Sequence, residues 1–187
     1  MKIYETEDGI NKYIQMAEGY DNSKFGNLIR KHLAPESSIL ELGMGPGNDY
    51  AWLRKEFQVT GSDYSPLFIY RARQRFPAGK FAVIDGISLD VEETFDAIYS
   101  CKVFQYFEYH DIETSLTNQY ERLSQNGLII HSFWIGDFIF EEGDMRAIYH
   151  NKEKLLELVN QEFEVLELEI YEEFEADDSI FLIAKKK

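Results

Sequence analysis

Runs of apolar residues divide the chain into segments of strand length. Five runs have the continuous apolar character of strands that are buried in a parallel sheet. They are predicted at residues 39–42, 59–62, 81–84, 95–100 and 128–133. Two further strands are predicted at residues 163–171 and 179–184. With 187 residues the chain is long enough to bury one full sheet with helices on both faces, which favours an α/β fold.

Helical periodicity occupies the segments between these strands and the segment before them. Helices are predicted at residues 48–57, 66–76, 111–124 and 152–161. Asn48 or Asp49 is predicted to cap the first of them, and Asn126 with Gly127 is predicted to end the third. Residues 3–33 are predicted to form two short amphipathic helices.

Three glycines at alternate positions follow the first predicted strand. Gly43, Gly45 and Gly47 come after Glu41, which lies two positions before the first glycine. Glycine adopts left-handed backbone angles and lets a ligand approach the backbone closely. This Glu-x-Gly-x-Gly-x-Gly rhythm differs from the Gly-x-Gly-x-x-Gly of dinucleotide-binding proteins. An ordinary glycine-rich turn is the alternative interpretation.

The motif resembles the first motif of the class I S-adenosylmethionine-dependent methyltransferases, of the small-molecule type. The resemblance runs from about Tyr13 to the end of the chain and implies a Rossmann-like doubly wound sheet of about seven strands, with a C-terminal antiparallel hairpin. It also implies a single domain over residues 1–187, with a helical cap segment at 1–33 and a sheet core at 34–187. Residues 134–150 would be a lid over the acceptor pocket. The carboxylate of Glu41 suits a cofactor that carries an ammonium and a sulfonium better than one that carries phosphates.

The resemblance assigns S-adenosylmethionine as cofactor and places its contacts at the carboxyl ends of successive strands. Asp63 ends the second strand, where an acid accepts hydrogen bonds from ribose hydroxyls. Asp85 and Gly86 follow the third strand and would contact the adenine, although Asp-Gly is also a common turn. The remaining candidates hold the methionine end or neighbour these positions: Glu41, Gly43, Gly45, Gly47, Tyr64, Ser100 and Cys101.

Candidates for a catalytic role are few, because the cofactor supplies the reactivity in methyl transfer. His131 ends a strand on the ligand side and is predicted as a general base, with a core histidine as the alternative. Tyr20 would present its ring or hydroxyl to the sulfonium or the acceptor. His110 and His150 adjoin predicted helix starts and are expected at the surface. No Cys/His cluster has the spacing of a metal site, so no metal is predicted.

The charge and composition of the chain argue against nucleic acids and anionic membranes as partners and favour small molecules. A net charge of −15 and a pI near 4.6 oppose binding to nucleic acids or anionic membranes. The Asn/Asp-Pro-Pro-Tyr/Phe motif, which methyltransferases acting on base amines carry after the fourth strand, is missing from residues 100–107. A single cysteine, no signal peptide and no membrane-spanning run lead us to expect a cytoplasmic protein.

Two other functions remain open from the sequence. A nicotinamide-dependent oxidoreductase would also use an acid such as Asp63, but the glycine rhythm and Glu41 oppose it. A non-catalytic module that binds S-adenosylmethionine would not need a general base.

Overall fold

The computed structural model describes residues 4, 6–19, 21–143 and 145–187. The chain begins with helix α1 (Glu7–Met16), a 3₁₀ turn at Ser23–Phe25 and helix α2 (Gly26–His32). The Thr6 hydroxyl caps α1 by accepting a hydrogen bond of 3.1 Å from the backbone N–H of Gly9.

Strands make up two sheets in the described part of the chain. They are β1 (Ser38–Leu42), β2 (Gln58–Asp63), β3 (Lys80–Val83), β4 (Phe95–Ser100), β5 (Leu123–Trp134), β6 (Phe138–Glu142), β7 (Met145–Tyr149), β8 (Phe163–Tyr171) and β9 (Ser179–Lys186). Seven of them form one sheet in the order β3-β2-β1-β4-β5-β9-β8, in which β1 to β5 pair in parallel and β9 pairs antiparallel with both β5 and β8. The predicted seven-stranded sheet with a C-terminal antiparallel hairpin is confirmed.

Four further helices complete the two layers around this sheet. They are α3 (Asn48–Leu53), α4 (Pro66–Arg75), α5 (Tyr109–Arg122) and α6 (Lys152–Glu162). Neighbouring strand residues point to opposite faces, so Ile39 packs in the cluster with α2, α3 and α4, while Leu40 packs in the cluster with α5 and α6. Both side chains are fully buried. Among the described helices, none has the length and apolar content to cross a membrane.

The predicted helix stop at Asn126 and Gly127 is wrong. Helix α5 ends at Arg122, and β5 begins at Leu123 without an intervening turn. Asn126 has a left-handed backbone (φ 67°) within β5, where the pairing with β4 shifts register. The Asn-Gly signal therefore marks a bulge in a strand rather than the end of a helix.

The predicted lid at residues 134–150 contains an antiparallel hairpin formed by β6 and β7. Backbone hydrogen bonds of 2.9 Å between Trp134 and His150, and between Gly136 and His150, join the base of this hairpin to the end of β5. The hairpin therefore stands at the carboxyl end of the parallel strands. Phe138, Ile139 and Phe140 of β6 are exposed.

Candidate active site

Two adjoining clefts open at the carboxyl ends of β1, β2 and β4. The wide cleft has a volume of about 420 Å³, and its lining includes Glu41, Asp49, Cys101, Trp134, Arg146 and Tyr149. The narrow cleft has a volume of about 230 Å³, and its lining includes Asp63, Tyr64, Ile84, Asp85, Gly86 and Phe107. Both clefts are lined by Tyr4, Tyr13, Gly43, Gly45, Lys102 and Tyr106. The first two glycines of the motif thus lie where the clefts meet.

The glycines of the motif serve two different purposes. Gly43 and Gly45 have left-handed backbones (φ 63° and 49°), and a Cβ on Gly43 would lie 2.5 Å from Cγ2 of Val103. Gly47 (φ 81°) lines neither cleft, and a Cβ there would meet Phe76 and Met44. Gly47 is the N-cap of α3, so the predicted cap by Asn48 or Asp49 is wrong. The third glycine is required for the turn into the helix rather than for contact with a ligand.

Hydrogen bonds to Asp63 connect the glycine loop to the end of β2. Its two carboxylate oxygens accept hydrogen bonds from the backbone N–H groups of Gly45 (2.9 Å) and Ser65 (2.8 Å). Burial raises the pKa of Asp63 to about 6, and these two hydrogen bonds oppose the rise. The carboxyl lines the narrow cleft and so remains directed at the position predicted for a ribose.

Binding of S-adenosylhomocysteine is expected to weaken below pH 6. Ribose hydroxyls donate to the ionised form of Asp63, so protonation of a group with a pKa of about 6 opposes binding. The affinity should fall by up to about tenfold per pH unit between pH 6 and pH 5. Calorimetry at pH 5, 6, 7 and 8 measures this dependence, and a flat profile would contradict the role of Asp63.

The ionisation of Asp63 should change the stability of the ligand-free protein in the opposite direction. The affinity for S-adenosylhomocysteine falls as the pH falls, whereas the free energy of unfolding rises. The pKa of Asp63 is higher in the folded protein (about 6) than in the unfolded chain (3.8). The protonated carboxyl therefore contributes stability that is fully present below pH 3.8 and is lost as the pH rises through about 6. Affinity and melting temperature are therefore measured separately across this pH range.

Two acids, the buried Glu41 and the half-buried Asp49, line the wide cleft. Asp49 accepts hydrogen bonds from the Asn22 amide (3.1 and 3.2 Å), the Trp52 indole (3.1 Å) and the Tyr99 hydroxyl (2.8 Å). Glu41 is 3% exposed, and within the described residues its Oε2 has no hydrogen-bond partner.

The electrostatics of these acids favour a cation. Burial raises the pKa of Glu41 well above its usual range, and the nearby charge of Asp49 adds to the rise. Burial also raises the pKa of Asp49. A ligand ammonium or sulfonium beside them would offset the cost of burying these carboxylates. The residues therefore fit the methionine end of S-adenosylmethionine.

The predicted adenine residues lie together in the narrow cleft. Asp85 accepts a hydrogen bond of 2.7 Å from the backbone N–H of Ile87, which shapes the turn after β3. The carbonyl of Gly86 accepts a hydrogen bond of 2.6 Å from the Ser115 hydroxyl of α5. Tyr64 is 65% exposed and lines the same cleft. The sequence thus brings three of the predicted residues to one side of the glycine loop.

His131 is not positioned to act as a general base. It is fully buried and lines neither cleft. Its Nε2 lies 2.8 Å from Oε1 of Gln119, which only accepts, so Nε2 carries the proton and Nδ1 accepts from the Ser100 hydroxyl at 2.9 Å. Burial lowers the pKa of His131 to about 3. The predicted contact of Ser100 with the cofactor is likewise not supported, since Ser100 is fully buried and lines neither cleft.

The network around His131 continues to the narrow cleft. The Gln119 amide donates to the Ser115 hydroxyl at 3.0 Å, and Ser115 donates to the carbonyl of Gly86. His131 therefore links the end of β4 to the turn after β3 through a chain of hydrogen bonds in which every member is neutral. Its role is structural.

Replacing His131 by leucine should lower the stability of the fold. The Ser100 hydroxyl and the Gln119 amide would each lose a buried partner, at a cost of about 1–3 kcal/mol per group. Urea denaturation measures the loss, and His110→Leu is the control because the His110 side chain is 77% exposed. A general base would instead show a large fall in kcat at unchanged stability.

The structure can also be compared with the positions predicted for Cys101, His150 and Tyr20. Cys101 lines the wide cleft as expected, and burial raises the pKa of its thiol to about 12, which opposes a nucleophilic role. The prediction that His150 lies at the surface is wrong, because it is fully buried and its Nε2 lies 2.9 Å from the carbonyl of Phe104. Tyr20 lies outside the described residues.

Within the described residues, no group of three or more His, Cys, Asp or Glu side chains is arranged to hold a metal ion.

Several residues of the wide cleft were not predicted from the sequence. They include Tyr4, Asn22, Lys102, Gln105, Arg146 and Phe174. Asn22 reaches the cleft through Asp49, which is 27 positions away, so no local pattern identifies it. Arg146 could have been identified from the sequence, because it is a basic residue within a lid segment rich in aromatic and acidic residues.

The chain matches known methyltransferases along most of its length. A family model described as "Methyltransferase domain" matches residues 39–127. An uncharacterized methyltransferase of Alkaliphilus oremlandii is 28% identical over 175 residues, which cover 92% of this chain and 78% of that protein. A trans-aconitate 2-methyltransferase of Methylobacterium radiotolerans is 32% identical over 105 residues, which cover 54% of this chain and 40% of that protein. The match thus spans less than half of that second relative.

The fold is shared with solved structures of the same class. A TehB-like S-adenosylmethionine-dependent methyltransferase from Corynebacterium glutamicum superposes with a TM-score of 0.78 and 22% identity, covering 97% of this chain and 100% of that one. The chain is therefore similar in sequence to known methyltransferases, and it shares the fold of the S-adenosylmethionine-dependent methyltransferases.

Proposed function

We propose that the chain transfers a methyl group from S-adenosylmethionine to a small molecule bound in the outer part of the wide cleft. The observation that carries the proposal is the junction of the two clefts at Gly43 and Gly45. One cleft offers acceptors for a ribose and an adenine, and the other offers acids for a cationic amino acid. A ligand with both parts has its middle, where the sulfonium lies, at this junction.

Within the proposal each part of the cofactor has named partners. Asp63 would accept from the ribose, and Asp85, Gly86 and Tyr64 would surround the adenine. Glu41 and Asp49 would compensate the positive charge of the methionine end, beside Cys101. When bound, S-adenosylmethionine supplies an activated methyl group, so the protein has to position the acceptor and exclude water.

The acceptor half of the wide cleft is defined here by Gln105, Trp134, Phe140, Arg146, Tyr149 and Phe174. Met16 and Ala17, at the end of α1, line the same cleft. The Trp134 ring contacts those of Tyr149 and Phe174 at centroid distances of 5.3 Å. Walls of this kind suit a small, partly apolar acceptor.

The charge of the chain also supports a small acceptor. A net charge of −15 would repel nucleic acids at long range. The relative from Methylobacterium radiotolerans carries the name of a small organic acid, trans-aconitate. We therefore propose a small molecule, and no nucleic acid, as the partner of this chain.

The proposal is tested first by ligand binding and then by turnover. Calorimetry should show that S-adenosylhomocysteine binds with micromolar affinity, about −8 kcal/mol, while NAD and NADP do not bind. Transfer of label from S-adenosylmethionine to small-molecule acceptors then measures the activity. Tight binding of DNA or RNA oligonucleotides that weakens steeply between about 50 and 200 mM salt would refute the small-molecule acceptor.

A further inference from the structure

Two basic side chains are among the described residues that line the wide cleft, although the chain as a whole carries a net charge of −15. Arg146 lies on β7 and belongs to the acceptor half, whereas Lys102 follows β4 and lines both clefts. The acids of the wide cleft, Glu41 and Asp49, are assigned to the methionine end of the cofactor under the proposed function. Arg146 is the charged member of the acceptor half.

The guanidinium of Arg146 is the more available of the two cations. The ammonium of Lys102 pairs with Glu173, whose side chain is 4% exposed. Arg146 is 40% exposed, and its ion pairs use Nη2 toward Glu108 (2.7 Å) and Nε toward Glu141 (3.5 Å). A guanidinium carries five N–H donors, so among the described residues these contacts leave the donors of Nη1 for another acceptor.

Within the described chain, the six residues that define the acceptor half include no histidine and no carboxylate, and the acids of the wide cleft, Glu41 and Asp49, are assigned to the methionine end. Gln105 contributes a neutral amide, and the aromatic residues contribute rings and the hydroxyl of Tyr149. The buried histidines His131 and His150 line neither cleft. A protonated amine has to lose a proton before it attacks a methyl group, whereas a carboxylate is already ionised at neutral pH. An acceptor that needs no base suits this site.

We infer that the acceptor is a carboxylic acid whose carboxylate is bound by Arg146 and methylated on oxygen. This inference rests on the proposed methyltransferase function. A lone pair of the carboxylate oxygen forms the new O–CH₃ bond as the C–S bond of the sulfonium breaks, and the electron pair of that bond stays on sulfur. The products are a methyl ester and S-adenosylhomocysteine, and no proton is released.

Further groups in the acceptor half match a carboxylic acid with an apolar or unsaturated body. Trp134, Tyr149 and Phe174 provide the aromatic wall. Gln105 is 2% exposed, and its Oε1 has no hydrogen-bond partner within the described chain. This oxygen would accept a hydrogen bond from a hydroxyl or a protonated second carboxyl of the acceptor.

The first test determines the chemical class of the acceptor. The protein is saturated with S-adenosylhomocysteine, and calorimetry measures the binding of benzoate, cinnamate and trans-aconitate beside the neutral amides of the first two and benzylamine. Turnover is then measured with methyl-labelled S-adenosylmethionine, followed by alkali, which releases methanol from a methyl ester but leaves an N-methyl group intact. We expect the acids to bind more tightly than the amides and the amine, and the label to be released by alkali.

The second test assigns the recognition to Arg146. The variant Arg146→Gln should raise the KM for the acid by about tenfold or more, with the Kd for S-adenosylhomocysteine unchanged. Arg122→Gln, which removes the same charge outside both clefts, should change neither value. Glu108→Gln frees Nη2 of Arg146 and should keep or lower the KM for the acid. If Arg146 only anchors the hairpin to Glu108, both variants will raise the KM alike.

The outcomes separate this inference from the proposed function. Failure to bind S-adenosylhomocysteine would overturn the methyltransferase proposal itself. Binding of S-adenosylhomocysteine without any preference of the complex for acids, or formation of an alkali-stable product, would overturn the carboxylate inference alone. An unchanged KM in Arg146→Gln would remove Arg146 from the recognition.

Discussion

Replacing Gly45 by valine is expected to abolish measurable binding of S-adenosylhomocysteine, a loss of at least about 100-fold in affinity. Gly45 is buried at the junction of the two clefts, has a left-handed backbone and donates its N–H to Asp63. A Cβ there already lies 3.5 Å from Cε1 of Tyr13, and the two methyl groups of valine would extend further into this space. Calorimetry with S-adenosylhomocysteine measures the effect.

The control for this variant is Gly143→Ala. Gly143 also has a left-handed backbone (φ 59°), and a Cβ there would meet none of the described residues within 4 Å. It therefore reports the backbone cost alone, about 1–2 kcal/mol of stability. Circular dichroism establishes that both variants are folded. A folded Gly45→Val protein that binds as well as the parent would show that the loop does not hold the cofactor.

Replacing Asp63 by alanine is expected to weaken S-adenosylhomocysteine by roughly 1–3 kcal/mol. Two effects add, because the ribose loses a charged acceptor and the N–H groups of Gly45 and Ser65 lose the carboxylate that fixes the glycine loop. Binding is measured by calorimetry at pH 8, where Asp63 is ionised.

Two variants separate the effects at Asp63. Asp63→Asn keeps one oxygen acceptor of similar shape and should retain part of the affinity, while the pH dependence between pH 5 and 7 becomes flatter. Asp85→Ala, at the other acid of the narrow cleft, should cost less than Asp63→Ala because its carboxylate supports the turn at Ile87 and not the glycine loop. Unchanged affinity in folded Asp63→Ala would mean that the ribose is held by other groups.

Strands could be predicted well from this sequence because their apolar runs are bounded by polar residues. The predicted bounds of β4 and β8 agree with the structure at both ends. The bulge at Asn126 could not be predicted, since Asn-Gly has the same left-handed preference at a helix end and in a bulge. The pairing of β5 with β4 determines which of the two forms.

The cofactor side of the site was more predictable than the acceptor side. Glu41, Gly43 and Gly45 lie in one continuous motif, and Asp63 follows from its place at the end of a strand. Asp49 was interpreted as a helix cap, but its partner Tyr99 is 50 positions away in the chain. Such contacts depend on the tertiary fold and leave no local pattern.

The interpretation of His131 failed for a related reason. Its position at the carboxyl end of β5 was predicted, but the strand is buried on both faces, so hydrophobicity does not distinguish the side toward the ligand. His131 contacts the rings of Phe104 and Phe133 in the cluster that packs on α5 and α6. A polar residue in a doubly buried strand therefore predicts a hydrogen-bond network as readily as a catalytic group.

Helix α1 and Tyr4 border both clefts, so their position bears on how the two products leave after turnover. Tyr4 and Tyr13 line each cleft, the Tyr4 hydroxyl lies 2.8 Å from that of Tyr106, and Glu7 of α1 pairs with Arg71 of α4. When one segment borders the sites of two ligands, their dissociation is coupled. A movement of α1 that releases S-adenosylhomocysteine also opens the site of the methylated product. We expect the dissociation rates of S-adenosylhomocysteine and of the methylated product to rise together when Tyr4 or Glu7 is replaced, even where neither equilibrium affinity changes much.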